Sequence, residues 1–288
     1  MRPPAALDAA RVGHEGTLRL ALERRGAATV VARCRYTVPL QVLAPLALDD
    51  PAAIVSILNP TGGLVGGDRL SIEVDAGADA HAVLTTPSAT RVYRTDGDPA
   101  TQTVRLRLGP RAVVEWVPDQ TIPFAGSAFR QVIDVEMDEA CGLVLVDAFS
   151  AGRIARGEAW QFALLETALS VRDRHGWLLH DRFVLRPGST PAPDQPRWDG
   201  LGLAERHAYV ASVAVLGAFD GVRFAAEVAS RTAACVDAWV GVAHLARGGV
   251  LVRCLAAGAP GLAQVVDLVW AAARAALLGL PSLALRKP

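Results

Sequence analysis

A glycine-rich loop, residues 59–70, carries the most distinctive arrangement of side chains in this sequence. It reads NPTGGLVGGDRL, with two glycine pairs around two apolar residues and an Asp-Arg pair directly after them. Glycine reaches positive φ without steric cost, so paired glycines are typical of backbone that turns tightly or lies against a neighbour. We predict that Gly62, Gly63, Gly66 and Gly67 form a structural loop that presents Asp68 at the start of a strand.

The loop does not match a phosphate-binding motif. Dinucleotide-binding loops carry G-x-G-x-x-G between a strand and a helix, and P-loops carry G-K-[ST] after their glycines. Here Leu70, Ile72 and Val74 alternate with polar residues, which predicts that a strand follows. A structural double bend is the simplest interpretation of the glycines.

Cysteine and histidine are scattered along the chain. The four cysteines form no C-x-x-C pair, and the six histidines form no H-x-H or H-E-x-x-H motif. This pattern favours reduced thiols in a cytoplasmic protein over a disulfide framework or a zinc site.

Composition excludes some partners and favours others. The chain has 288 residues, 51% of them hydrophobic, and a formal net charge of +0, which lacks the basic footprint of nucleic-acid binding. The apolar stretch 262–280 is interrupted by Gln264, Asp267 and Arg274, so we predict no membrane span there. Lysine commonly protects sheet edges, and Lys287 is the only lysine. We therefore expect a chain that is poorly soluble alone and is covered by protein partners.

Alternation of apolar and polar residues predicts mostly strands before residue 200. It recurs at 17–22, 103–108 and 133–138, and the apolar run 143–146 predicts a strand buried on both faces. Glycine-containing turns at 174–176 and 248–249 predict two hairpins. Four prolines and three glycines predict a long surface loop over 186–202, and residues 1–13 are expected to be a disordered tail.

Helices are predicted only late in the chain. Apolar residues recur at helical spacing from Leu262 to Leu280, which places Gln264, Asp267, Ala271 and Arg274 on the opposite, exposed face. A weaker pattern covers 222–232. These patterns predict one mainly β domain over 14–288, with a small number of C-terminal helices.

Three further segments are unusual for generic strands. LTTPSATRVYR at 84–94 ends a strand at its proline and projects two arginines, and EWVPDQTIPF at 115–124 breaks an apolar strand into a turn. DAFSAGRIARGE at 147–158 leaves a buried strand and carries arginines and a glutamate between glycines. Taken singly, each is typical of a loop with solvated charges.

Taken together and in this order, the four segments resemble the urease accessory protein family called UreD or UreH. They are similar to that family's P-x-G-G-x-x-G-G-D, T-T-P-x-A-T-x-x-Y-R, E-W-x-P-x-x-T-I and G-R-x-x-x-G-E motifs, and residues 36–41 fit its Y-x-x-P-L opening. The resemblance runs from about Gly16 to at least Glu158. Asn59 departs from the family's frequent histidine, and 283–288 departs from the expected ending.

The resemblance implies a non-catalytic scaffold with a β-helix-like stack of strands. Such proteins bind apo-urease, a helical accessory protein of the UreF type and a nickel-carrying GTPase of the UreG type, and they help nickel reach the urease active site. No tightly bound cofactor is implied, only transient nickel. The four segments start 25, 31 and 32 residues apart, which fits stacked rungs, although they do not resemble one another.

Two acids are candidates for the nickel path. Nickel is held tightly by imidazole and thiolate and more loosely by carboxylate, so a protein that passes the ion on is expected to use acids. Asp68 and Glu158 lie beside glycine-exposed backbone and are our candidates. An equally supported alternative is that they pair with neighbouring arginines such as Arg69, Arg153 or Arg156.

Four residues are candidates for a partner interface. Arginine and tyrosine are enriched at interface hot spots, which suggests this role for Arg91, Tyr93, Arg94 and Arg153. The alternative is that Tyr93 packs in the core and the arginines are solvated.

Two other classes of function stay open at this stage. A hydrolase with Asp68 or Glu158 as general base would have a deep polar pocket with perturbed acids, but no Gly-x-Ser-x-Gly motif is present. A metal-independent β binding module would have one exposed apolar face and no internal channel.

Overall fold

The computed structural model of the chain describes residues 14–43, 49–187, 200, 202 and 204–285. The predicted tail at 1–13 and most of the predicted loop at 186–202 lie outside the described residues. The described part contains 17 strands and two α-helices. The strands are β1 Glu15–Arg25, β2 Ala28–Tyr36, β3 Gln41–Val42, β4 Ala53–Leu58, β5 Arg69–Ala76, β6 His81–Thr85, β7 Thr90–Val92, β8 Ala100–Leu108, β9 Val113–Val117, β10 Thr121–Pro123, β11 Ala128–Met137, β12 Gly142–Ser150, β13 Leu164–Asp173, β14 Gly176–Leu185, β15 Tyr209–Leu216, β16 Ala238–His244 and β17 Val250–Ala256. The helices are α1 Gly221–Thr232 and α2 Ala259–Leu278.

The strands form two stacked sheets. The first has the order β14-β13-β11-β8-β5-β1-β2, and the main path of the second has the order β16-β17-β15-β12-β9-β6-β4-β3. From β5 to β13 the chain moves from one sheet to the other and back, so neighbouring strands β5, β8, β11 and β13 are parallel, as are β4, β6, β9 and β12. The predicted mainly β, β-helix-like stack with C-terminal helices is confirmed.

Two hydrophobic cores hold this arrangement together. The first lies between the sheets and receives the alternating apolar residues of β1, β5, β8 and β11, including Leu70, Ile72 and Val74 as predicted. The second lies between the second sheet and the two helices. The run 143–146 is at most 1% exposed, because β12 packs against both cores. The predicted strand buried on both faces is therefore confirmed.

Each turn of the β-helix-like stack, called a coil here, passes through one strand of each sheet. Successive coils repeat a backbone turn geometry without repeating a sequence. Asp79, Arg111 and Ala140 have φ of 58°, 59° and 55°, each between a strand of the first sheet and one of the second. The amides of Asp79 and Arg111 donate to carbonyls of the next coil, at 3.0 and 2.9 Å. Because backbone bonds define the repeat, different side chains can occupy it, which explains why the segments do not resemble one another.

Helix α2 begins after Gly258 and ends at Gly279, whose φ of 64° stops the helix close to the predicted end. α2 is long and apolar enough to cross a membrane, but buried helices of soluble proteins share this length and composition. Here α2 packs on the second sheet. One prediction for this helix is wrong. Arg274 was assigned to the exposed face, but it is 0% exposed.

Arg274 is buried because other elements supply its counter-charges. It donates to Glu115 of β9 at 2.6 Å and to Asp50. Glu115 is also 0% exposed, lies 2.7 Å from the His81 ring and accepts the indole N–H of Trp270. These five residues, named here the Glu115 network, join α2 to β6 and β9.

Candidate functional site

The four distinctive segments of the sequence lie side by side in the structure. Leu64 of the glycine loop forms a β-bridge with Val92, and Val92 in turn pairs with Pro123 of β10. At the other end of β10, Thr121 pairs with Phe149. Segments far apart in sequence thus form adjacent rungs of one short ladder, which we name the motif ladder.

The glycine pairs combine tight turning with close approach. Gly62 and Gly67 have φ of 86° and 85°, which favours glycine. A Cβ on Gly63 would lie 2.6 Å from the ring of Tyr93, and one on Gly66 would lie 2.8 Å from a threonine methyl group. The loop therefore lies directly against the segment after β7.

Asn59 holds the start of the loop. Its side-chain oxygen accepts the amide of Thr61 at 3.1 Å and the Thr61 hydroxyl at 2.6 Å. This arrangement is typical of an asparagine-capped turn. Asn59, where the resemblance led us to expect a histidine, is thus engaged within the loop.

Asp68 is 4% exposed and its carboxylate is already paired. One oxygen lies 2.6 Å from Nδ1 of His14, and the other accepts the amide of Val65 at 2.9 Å. The neighbouring Arg69 instead lies 3.5 Å from Glu15. The partner of Asp68 is therefore a histidine 54 positions earlier and not an adjacent arginine.

Glu158 forms a two-pronged ion pair with Arg153. The Nε of Arg153 donates at 2.7 Å, and its Nη2 donates to the second carboxylate oxygen. These hydrogen bonds hold the pKa of Glu158 below its usual value. The Arg153 guanidinium also lies 4.1 Å from the centre of the Phe124 ring, which Tyr93 contacts edge-on at 5.1 Å.

The candidate interface residues fall into two groups. Arg91 and Arg94 are exposed, and Arg94 forms only a surface pair with Asp96 at 3.3 Å. Tyr93 is half-buried and its hydroxyl donates to the Gly62 carbonyl at 3.3 Å. Like Arg153, it helps to hold the motif ladder together.

A cavity of about 100 Å³ lies behind the motif ladder, and its lining includes two acids, Asp119 and Asp147. Asp147, in β12, accepts the Thr167 hydroxyl at 2.8 Å and the Gln131 amide at 2.9 Å. Asp147 is half-buried and lines the cavity, and its burial raises the pKa of the carboxyl. Sequence reasoning passed over it, although a lone acid inside the apolar run 143–150 was a usable signal.

A larger groove of about 780 Å³ runs between α2, the second sheet and the segment after α2. It shares four lining residues with the cavity: Ala89, Pro118, Asp119 and Ala148. The cavity and the groove therefore adjoin where β9 turns towards β10. Asp68 and Glu158 belong to the lining of neither.

Stable metal coordination by several side chains is not apparent in the described ranges. Within them, no three His, Cys, Asp or Glu side chains lie close enough to hold one ion. The four cysteines carry no disulfide, and only Cys34 is exposed.

Comparison with known proteins now identifies the family. A family model described as UreD urease accessory protein matches residues 14–288. The chain belongs to the UreD family. Three relatives named urease accessory protein UreD illustrate the similarity. The protein of Alkalilimnicola ehrlichii is 32% identical over 269 residues, which cover 93% of this chain and 89% of the relative. That of Ralstonia nicotianae is 43% identical over 150 residues, covering 51% and 50%, and that of Delftia acidovorans is 33% identical over 211 residues, covering 69% and 68%.

The resemblance drawn from the four segments is thus confirmed over nearly the whole chain. UreD family membership supports a role as an accessory to urease maturation. The four segments on which that resemblance rests are those that form the motif ladder.

Proposed function

We propose that this protein is a non-catalytic, cytoplasmic scaffold for urease maturation that binds apo-urease, a UreF-type helical protein and a UreG-type GTPase, and guides nickel towards the urease active site. The family assignment supports the maturation role. The exposed arginines beside the glycine loop, Arg91 and Arg94, are proposed to contact a partner, since arginine is frequent at interface hot spots.

The observation that carries the nickel path is the adjoining cavity and groove. They meet at four shared lining residues and together lead from the glycine loop to α2. At roughly 30 Å³ per water molecule, the cavity has room for about three waters, which suits a partly hydrated ion. We propose that nickel passes along this route as cargo.

Asp147 is the acid best placed to contact that cargo. Asp147 lines the cavity together with Gln131, whose side-chain amide donates to it at 2.9 Å. Thr167, which donates to the other carboxylate oxygen at 2.8 Å, is not part of the cavity lining. Oxygen ligands hold nickel less tightly than imidazole or thiolate, so such a site would release the ion again. This chemistry fits transfer better than storage.

Asp68 and Glu158 are also proposed to contact nickel, but they are less well placed to do so than Asp147. Each would have to leave a partner, His14 or Arg153, before its carboxylate could bind nickel. We therefore propose that they act outside the cavity, at the ends of the path, once these partners are released. Their present contacts favour a role in holding the motif ladder.

One observation favours an enzyme instead: the raised pKa of Asp147 in a polar cavity. Size argues against it. Sites for small molecules commonly measure about 300–1,000 Å³, and this cavity has about 100 Å³. The Thr167 hydroxyl donates to Asp147 at 2.8 Å, but Thr167 does not line the cavity, so this pair is not presented to a substrate there.

The test is co-expression of the chain with its host's urease subunits and accessory proteins, followed by measurement of complex formation, urease nickel content and activity. Deletion of the chain is expected to abolish activation. Asp147→Asn is expected to leave the complex intact and to lower nickel content, whereas Asp75→Asn, at a 58% exposed side chain, should change neither. Asp68→Ala and Glu158→Ala test the ends of the path.

The outcomes separate the parts of the proposal. Full activation without the chain would refute the maturation role. A nickel-replete urease with Asp147→Asn would refute the path while leaving the scaffold role in place. Loss of the complex with Asp147→Asn would mean that this acid acts through folding or docking and not through nickel.

A further inference from the structure

Among the residues that the structure describes, strand β16 leaves one edge of the second sheet open. It is the last strand in the sheet order and pairs with β17 on one side only. Its sequence, AWVGVAH, contains no charged residue and no proline, and Trp239 is 55% exposed. Unpaired N–H and C=O groups on such an edge are a template for pairing with another strand.

The other described sheet ends are better protected. β2 carries Arg33 and Arg35, and β14 carries Asp181 and Arg182. At the far end of the second sheet, β3 has only two residues. Charges and short edge strands are common ways to prevent edge pairing, and β16 uses neither.

The hydrogen bonds to β17 show which backbone groups of β16 point outward. The carbonyl of Asp237 accepts from Ala257 at 2.9 Å, and the amide of Leu245 donates to Gly249 at 3.1 Å, so the odd-numbered residues face β17. Along an antiparallel strand, the backbone N–H and C=O groups of successive residues point alternately to one side of the strand and to the other. Val240, Val242 and His244 therefore direct their N–H and C=O groups to the open edge.

Gly241, at the centre of this strand, is not required by the fold of its own chain. A Cβ built on it meets no atom within 4 Å, and its φ is not in the left-handed region. Glycine in a strand weakens it and often marks a place where another backbone or side chain approaches. Within the described residues, that neighbour is missing.

We propose that β16 pairs antiparallel with β16 of a second copy of this chain, with the two Gly241 residues facing each other on the two-fold axis. In this register Trp239 lies opposite Ala243 of the other copy, and Val240 lies opposite Val242. Large side chains thus meet small ones, and the central glycines leave room for the two indoles. The outward groups of Val240 and Val242 would form about four hydrogen bonds between the copies, since facing residues exchange two bonds at every second pair.

The chemical test uses a cross-link that depends on the register. In a Cys34→Ser background, which removes the exposed native thiol, Gly241→Cys places two cysteines at a facing pair with Cα atoms about 4.5 Å apart, close enough for a disulfide. Ala243→Cys is the matched control, because Ala243 is also exposed but would lie about 13 Å from Ala243 of the second copy. Under copper–phenanthroline oxidation we expect a linked dimer with Gly241→Cys and none with Ala243→Cys.

The non-covalent test is sedimentation velocity of the full chain, carried on an N-terminal solubility fusion, at protein concentrations up to about 100 μM, which covers the affinities expected of a small interface. Val242→Pro removes an outward N–H without touching the bonds to β17 and should weaken the dimer at least about tenfold. Ala243→Lys tests the same edge with an exposed charge, in case the proline prevents folding.

Three results would overturn the proposal. These are a wild-type chain that stays monomeric at all concentrations, a dimer that survives both Ala243→Lys and a folded Val242→Pro, or equal cross-linking at 241 and 243. Cross-linking of Gly241→Cys to a co-expressed partner in place of a second copy would assign the edge to that partner and would also overturn it.

Discussion

Replacement of Arg274 by alanine is expected to be among the most destabilising single changes in the C-terminal half. The substitution removes the bonds to Glu115, at 2.6 Å, and to Asp50, and it also removes a bond from Nε to the Pro281 carbonyl at 2.9 Å. It leaves Glu115 fully buried with only His81 and Trp270 as partners.

The magnitude follows from the burial of both charges. Removing one member of a buried ion pair costs about 3–5 kcal/mol, because the remaining charge is left without compensation. Since Glu115 keeps two hydrogen-bond partners, we expect about 3–4 kcal/mol for Arg274→Ala. At roughly 2–4 °C per kcal/mol for a chain of this size, the Tm should fall by about 10 °C.

The assay is thermal unfolding followed by circular dichroism, with two comparison variants. Arg231→Ala removes an exposed pair with Glu227 on α1, which should cost only about 0.3–0.5 kcal/mol. The double variant Arg274→Met with Glu115→Leu removes both charges of this pair but leaves the buried Asp50, 5% exposed, without its arginine, so it should recover only part of the lost stability. The reasoning is refuted if Arg274→Ala lowers the Tm no more than Arg231→Ala does.

Two further predictions concern the glycine loop and the cavity. Gly63→Ala should lower the free energy of unfolding by about 1–3 kcal/mol, because the new Cβ would overlap the Tyr93 ring. Gly241→Ala should be nearly neutral in a monomeric sample, because a Cβ there meets no atom within 4 Å. Equal effects of the two substitutions in denaturant titrations would contradict this prediction. The raised pKa of Asp147 means that the native state keeps this proton at a pH where the unfolded chain has lost it. The stability of the wild type relative to Asp147→Asn should therefore fall as the pH rises above 3.8, the ordinary pKa of an aspartate, and through the higher native pKa. A difference in stability that does not change with pH would show that burial does not govern the pKa of this acid.

Local patterns predicted the elements of this fold well. The alternation at Leu70, Ile72 and Val74 correctly assigned the buried face of β5, because side chains of a strand point to opposite faces in turn. The hairpins around 174–176 and 248–249 and the helix after Pro260 were also found from nearby residues. Such features depend on neighbours in sequence, which a single sequence contains.

Contacts between distant segments could not be predicted in the same way. Helical periodicity assigned Arg274 to the exposed face because arginine is polar, yet its partner Glu115 lies 159 positions earlier. Asp68 likewise found its partner in His14, 54 positions earlier. Backbone pairing between stacked strands brings these residues together. No local sequence pattern encodes the number of residues that separates one strand from the strand stacked beside it.

The sequence by itself determined the family, the β-rich class and the segments that matter, because these depend on residue types and short spacings. Only the tertiary structure decided the partners of the acids and which of them faces the cavity. Asp68 and Glu158 are held by His14 and Arg153, whereas Asp147 faces the cavity. The physical reason is that ion pairs and cavities form between segments that folding brings together, so their geometry exists only once the coils are stacked.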